Sequence, residues 1–180
     1  MCDTEVYTIR VDTVNTTVSN VNFTAYLNIP LRNVVKAELV SAVIPAAIND
    51  AQMIYVYVDE LVSKFNDRAD LAYTVGVSGS STTQGALTAE IPNLSYLKTA
   101  FVAIPPEMIN SKTIYTASGS GFPTDTVFIE PIRQLKTLTV TLYNQAGTPL
   151  SDPTSLGATY LTFRFTCAKP NVCQYGGQIV

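Results

Sequence analysis

Residues 22–45 read NFTAYLNIPLRNVVKAELVSAVIP, and both apolar runs inside this stretch stop at Ile-Pro. Over Asn22–Ile29, Phe23, Ala25, Leu27 and Ile29 alternate with polar or exposed partners, the period of a strand with one covered face. Proline has no N–H to give to a sheet ladder and pushes the residue before it toward extended geometry. The sequence therefore predicts a strand over Asn22–Ile29, a turn over Pro30-Leu31-Arg32-Asn33 and a second, longer strand over Val34–Ile44. On that second strand one face would carry Val35, Ala37, Leu39, Ser41 and Val43, and the other Val34, Lys36, Glu38, Val40, Ala42 and Ile44. Both faces are largely apolar, which predicts cover on both sides or pairing with another subunit.

Ile-Pro recurs at Ile91-Pro92 and Ile104-Pro105. Outward from the opening stretch, the same alternation predicts strands over Val6–Val11, Met53–Val58, Leu71–Val77, Leu87–Ile91, Ala100–Ile104 and Thr126–Ile129. Leu138, Val140 and Leu142 alternate with Thr137, Thr139 and Thr141. In the last strand, Thr159–Cys167, Leu161, Phe163, Phe165 and Cys167 are expected inward, with Thr162, Arg164 and Thr166 outward. Asp12–Asn20, Gly76–Gly85, Ser118–Asp125 and Asn144–Gly157 have loop composition. Asp59–Asn66 places Leu61, Val62 and Phe65 on one helical face and is the one candidate for a short helix. Val, Ile and Thr number 54 of the 180 residues, which favours strand over helix throughout. The expected fold is all-β: a single jelly-roll β-sandwich of about eight to ten antiparallel strands with long loops. Its domain would be residues 1–167, followed by a C-terminal tail or arm over 168–180.

Composition narrows the function. There is no histidine, so Ser-His-Asp and Cys-His catalysis and His-based zinc sites are excluded. The cysteines Cys2, Cys167 and Cys173 are too few for a four-thiolate zinc site. Their odd number, and a start (Met-Cys-Asp-Thr-Glu) with no basic residue or apolar signal core, favour free thiols. A Cys167–Cys173 pair would need the chain to turn back at Pro170. Asp59-Glu60 and Asp67/Asp70 are the closest acidic groupings, and nothing in the sequence opposes two carboxyls across a cleft or completes a calcium loop. The reading is therefore no enzyme, no catalytic, metal or cofactor-binding residues, and no cofactor. A net charge of −3 with singly spread Lys and Arg argues against nucleic acid, and no apolar stretch is long enough to span a membrane. The sequons at Asn15, Asn22 and Asn93 are ascribed to chance in a Thr- and Asn-rich chain.

Charged residues make up only 14% of the chain and tyrosine, with ten copies, is its commonest aromatic. Tyr55 and Tyr57 share a strand face, and Tyr143 and Tyr160 point outward by alternation. A tyrosine row could stack on sugars or form a protein interface, against the plainer reading of cross-strand packing.

Asn33 to Pro45, NVVKAELVSAVIP, resembles the Asn-Val-x-x-Ala-Glu-Leu-x-Ser-Ala-x-Ile-Pro strand of the small jelly-roll capsid proteins of nucleocytoplasmic large DNA viruses and their virophages. Later, Phe128, Pro131, Ile132, Leu135, Leu138–Val140 and Gly147 are similar to that group's Phe-x-x-Pro-Ile-x-x-Leu-x-x-Leu-Thr-Val strand and the glycine turn after it. The resemblance covers about half the chain and shows little over Leu71–Ser120. It implies a capsid component, either penton at a five-fold vertex or minor capsid protein, of single jelly-roll size. Its partners would be further copies of itself, possibly in a pentamer, and major and minor capsid proteins. It would reside in the virion after assembly in the host cytoplasm. The alternative is a lectin-like, carbohydrate-binding jelly roll.

Overall fold

The computed structural model describes residues 3–14, 19–45, 53–62, 99–105, 108–109, 112–116, 125–150 and 157–169. The strands expected over Leu71–Val77 and Leu87–Ile91, the loop Gly76–Gly85, Asp67/Asp70, Cys2, Cys173 and the segment from Pro170 onward lie outside them. The described residues are all β apart from one 3-10 turn, Asp59–Leu61. Of the helix candidate Asp59–Asn66, residues 59–61 form that turn and 63–66 lie outside the described set. Among the described residues no helix is long and apolar enough to cross a membrane.

The strands are β1 (Thr4–Asp12), β2 (Asn22–Ile44), β3 (Ile54–Val58), β4 (Val102–Ile104), β5 (Met108–Ile109), β6 (Lys112–Thr116), β7 (Asp125–Tyr143) and β8 (Tyr160–Ala168). Six of them form one curled antiparallel sheet in the order β1-β8-β2-β7-β3-β4. The hairpin β5–β6, which the sequence reading did not assign, joins through β6 to the end of β2, Ser41–Ile44.

The sheet corrects two expectations. The turn expected over Pro30–Asn33 does not form, and β2 is a single strand of 23 residues. Thr126–Ile129 and Leu138–Leu142 likewise belong to one strand, β7, which continues through Pro131 for 19 residues in all. The physical reason is that each proline sits in a bulge. Between Tyr26↔Thr137 and Leu31↔Leu135, β2 spends residues 27–30 against one residue of β7. Between Val34↔Ile132 and Lys36↔Val127, β7 spends residues 128–131 against one residue of β2. A bulged residue makes no ladder bond, so the missing proline N–H costs nothing there. Ile44-Pro45 and Ile104-Pro105 do end their strands, as expected.

Bulges also overturn the reading of Val34–Ile44 as apolar on two faces. The buried residues of β2 are Phe23, Leu31, Val34, Ala37, Leu39, Ala42 and Ile44, so the inward parity slips at 31–34, 34–37 and 39–42. The first slip falls at Asn33, whose φ of 52° is left-handed, a conformation asparagine tolerates better than most residues. The other two coincide with register shifts against β8 at Val34/Lys36 and Leu39/Ser41. With those slips included, all the fully buried side chains of the strand point to one core.

Elsewhere strict alternation holds. Leu161, Phe163, Phe165 and Cys167 of β8 are buried, as are Leu138, Val140 and Leu142 of β7 and Ile54, Val56 and Val58 of β3. These join Val11, Leu61, Phe101 and Leu150 in one continuous hydrophobic cluster. The loop after β7 is closed by Asn144, whose Oδ1 accepts from the N–H groups of Ala146 and Thr148 while Gly147 takes φ 73°.

The segment between β1 and β2, of loop composition, is clasped at both ends. Thr13 donates its hydroxyl to Asn20 Oδ1, the Thr159 N–H donates to Thr13 Oγ1 at 3.0 Å, and the Thr159 hydroxyl donates to the Asn20 carbonyl at 2.7 Å. Thr159 is fully buried. Thr159→Val is isosteric but strips the Asn20 carbonyl of its donor, so it is expected to cost about 1–3 kcal/mol. Urea unfolding of the two proteins side by side checks this; equal midpoints would show that the clasp contributes nothing.

Candidate functional site

No three Cys, Asp or Glu side chains among the described residues come close enough to hold a metal ion. Cys167 is a free, buried thiol, raised above its ordinary range chiefly by that burial. Asp59 and Glu60 do lie together, but as structural groups. The Glu60 carboxylate accepts from the hydroxyls of Thr137 and Thr139, at 2.8 and 3.0 Å, and from the Thr139 N–H at 2.7 Å. β3 has already left β7 at Val58↔Val140, so Glu60 continues the ladder along an edge that β3 no longer covers. Nothing in the sequence pattern marks this role, because the residues lie 77 and 79 positions apart.

Loss of hydration raises the Asp59 carboxyl above its usual range, and the neighbouring Glu60 raises it further. A carboxyl whose folded pKa exceeds its unfolded one holds its proton more tightly when folded. It therefore loses stability as pH rises through that window and stays a cost above it. Asp59→Asn is accordingly expected to raise Tm at pH 7 and to leave it unchanged at a pH below the carboxylate range. Thermal melts of both proteins at the two pH values test this, and an unchanged Tm at pH 7 would refute it.

Three of the tyrosines, on β3 and at the end of β7, pack together. Tyr55 is buried beside Ala100, with Met53, Ala103 and Tyr143 against them, and Tyr57 and Tyr143 meet edge to face at 6.2 Å. Tyr160 is exposed, as alternation predicts, and so is Tyr26, at 80%.

Arg164 lies on the outer side of the sheet, as expected, and so does Lys36. Lys36 pairs with Asp125 at 2.7 Å and Arg164 with Glu38 at 3.3 Å, which places a short ladder of charges across β8, β2 and β7. Such exposed pairs contribute about 0–1 kcal/mol each, so their part is to fix register more than to add stability.

What remains is the edge of the sheet. β8 pairs with β2 only over Val34–Val43. From Asn22 to Leu31, β2 is bonded to β7 on one side and, among the described residues, to nothing on the other. β1 is likewise paired, among the described residues, on one side only, by β8. Between these two strands opens a groove of about 310 Å³, lined by Tyr7–Val11 of β1 and by Ala25–Ile29 and Leu31 of β2. A pocket beneath a sheet face is lined by alternate residues, because side chains alternate sides. This one is lined by consecutive residues of both strands, as a gap between strands is. Tyr26 and the bulge residue Ile29, 74% exposed, stand on it, and on β7 Val127 and, in the reciprocal bulge, Ile129 are exposed. No protein-family model matches the chain, and no curated protein is detectably similar to it.

Proposed function

We propose that this protein is a structural component of an icosahedral viral capsid, a penton or a minor capsid protein, that acts by assembling with copies of itself and with other capsid proteins. In this reading the curled sheet is part of a single jelly roll. The observation that carries it is the N-terminal half of β2, which among the described residues has a ladder partner on one side only. Its residues 22–29, NFTAYLNI, contain no charge. Free edges in monomeric proteins are guarded by charges, by short length or by cover, because an open ladder templates association. An uncharged edge next to exposed Tyr26 and Ile29 suits a surface that is covered in an assembly. The resemblance of Asn33–Pro45 and of Phe128–Gly147 to small capsid jelly rolls supports the same reading from the sequence side. Such a subunit needs no cofactor and no catalytic group. Its place is the virion, and its contacts are with protein, not with nucleic acid or the interior of a membrane.

The carbohydrate-binding alternative gains little, since Tyr55, Tyr57 and Tyr143 are engaged in packing. Purified protein examined by mass photometry, and particles examined by cryo-electron microscopy, decide between the two. Closed rings in solution and density for the chain in the particle shell are expected. A strict monomer that binds glycans and is absent from particles would overturn the capsid reading.

A further inference from the structure

We infer that the bare edge of β2 receives, as an added strand, the C-terminal segment 170–180 of a second copy of this chain. The inference rests on the assembly reading above and names the contact through which it works. Three observations converge on the seat. β8 leaves β2 at Val34, so the ladder groups of residues 22–31 on that side have no partner among the described residues. The stretch 22–29 is uncharged, whereas β1, the other wall of the groove, carries Glu5, Arg10 and Asp12. The groove is lined by consecutive residues of both walls, the signature of an unfilled strand position.

The occupant follows from what the chain holds beyond Lys169. Residues 170–180, PNVCQYGGQIV, contain no charge and are rich in strand-formers, with Val172, Tyr175, Ile179 and Val180 among them. Extended at about 3.3 Å per residue, they match the length of the bare edge. Strand addition needs just these features: ladder bonds for affinity and alternate apolar side chains for fit.

The donor is a neighbour because of where the segment starts. The Lys169 N–H donates to the Asp3 carbonyl at 2.9 Å, and Lys169 Nζ lies 3.5 Å from Glu5 Oε1. Both contacts tie residue 169 to β1. Pro170 holds Lys169 extended, so no reversal begins there. Meanwhile the left-handed Asn33 turns β2 off line at the point where β8 parts from it. The last described residue, Lys169, is thus held beside Asp3 and Glu5, outside the groove lined by Tyr7–Val11, Ala25–Ile29 and Leu31. Donor and acceptor are different surfaces of one subunit, so the contact is head to tail, the kind that gives a ring where the rotation between copies closes.

The native Cys173 supplies the test. In the full-length chain carrying Cys2→Ser, Asn28→Cys or Thr24→Cys is introduced on the receiving edge. Cross-strand neighbours lie within disulfide reach. Under mild oxidation, non-reducing gels should show covalent dimers and higher oligomers for at least one of the two positions, at least tenfold above a control that also carries Cys173→Ser. A disulfide formed within one chain would overturn the inference, because the segment would then fold back on its own sheet. Cross-linking no stronger than the control at both positions would overturn it too. Mass photometry of the unmodified protein separates the two levels: rings without this cross-link remove the inference and leave the capsid reading intact, whereas a strict monomer removes both.

Discussion

Phe163→Ala is expected to destabilise the protein by about 3–5 kcal/mol, the range for removing a large aromatic side chain from a packed core. Phe163 is fully buried on β8, opposite Ile9 of β1 and Leu39 of β2. Its ring stacks on Phe165 at 6.0 Å and tilts against Phe101 at 6.1 Å. It thus stands where the edge strand, the long strand and the segment before β4 converge, and the cavity left by alanine would open to all three. The surrounding strands are held by their ladders, so the site has little freedom to collapse. Domains of this kind have a total stability of about 5–15 kcal/mol, so the substitution takes a large part of it. Phe163→Leu, which keeps most of the volume, should cost distinctly less. Urea unfolding followed by circular dichroism measures both. A loss below about 1 kcal/mol for the alanine variant would mean that the core at Phe163 is not packed as described.

Glu60→Ala is the second large effect, about 2–4 kcal/mol, from hydrogen bonds to an ionised acceptor and from the donor left without one. The carboxylate serves three donors on β7, and one of them, the Thr139 N–H, belongs to the ladder itself. Alanine leaves that N–H without its partner at the point where β3 ends. Glu60→Gln retains one acceptor oxygen and should lose about half as much. Hydrogen exchange gives a local readout: the Thr139 amide should exchange much faster in the alanine variant, while those of β8 change only with global stability. Unchanged protection at Thr139 would show that Glu60 is a bystander.

Much of the sheet was legible wherever a strand keeps one parity from end to end. β8 is such a strand, and so are β3 and the second half of β7; their inward residues could be read directly from alternation. β2 defeats the same reading because its inward face changes parity three times. A period-two pattern then averages into two apolar faces, and a proline looks like a terminus. Asn33 was the available clue, being a residue that accepts left-handed geometry, but only the paired registers of β7 and β8 show where the other slips fall. The Glu60 anchor had no local sign at all, since its partners are brought to it by the fold. The groove between β1 and β2 was equally hidden. An edge is defined by which strand fails to arrive, and a single sequence records only the strands that exist.

The two proline bulges bear on how this chain can change in length. Together they cancel: Glu38 meets Asp125 in the same register in which Asn22 meets Thr141. Between them the two strands run displaced by three positions, so Leu31 meets Leu135 where the outer register would set it against Ile132. Deleting residues 27–30 alone would leave β2 four residues short of β7 between Tyr26↔Thr137 and Lys36↔Val127 and separate Lys36 from Asp125. Deleting residues 128–131 together with them would restore the match. Insertions and deletions at these two sites, about a hundred residues apart in the chain, should therefore be tolerated only as a pair, like two teeth removed from meshing gears.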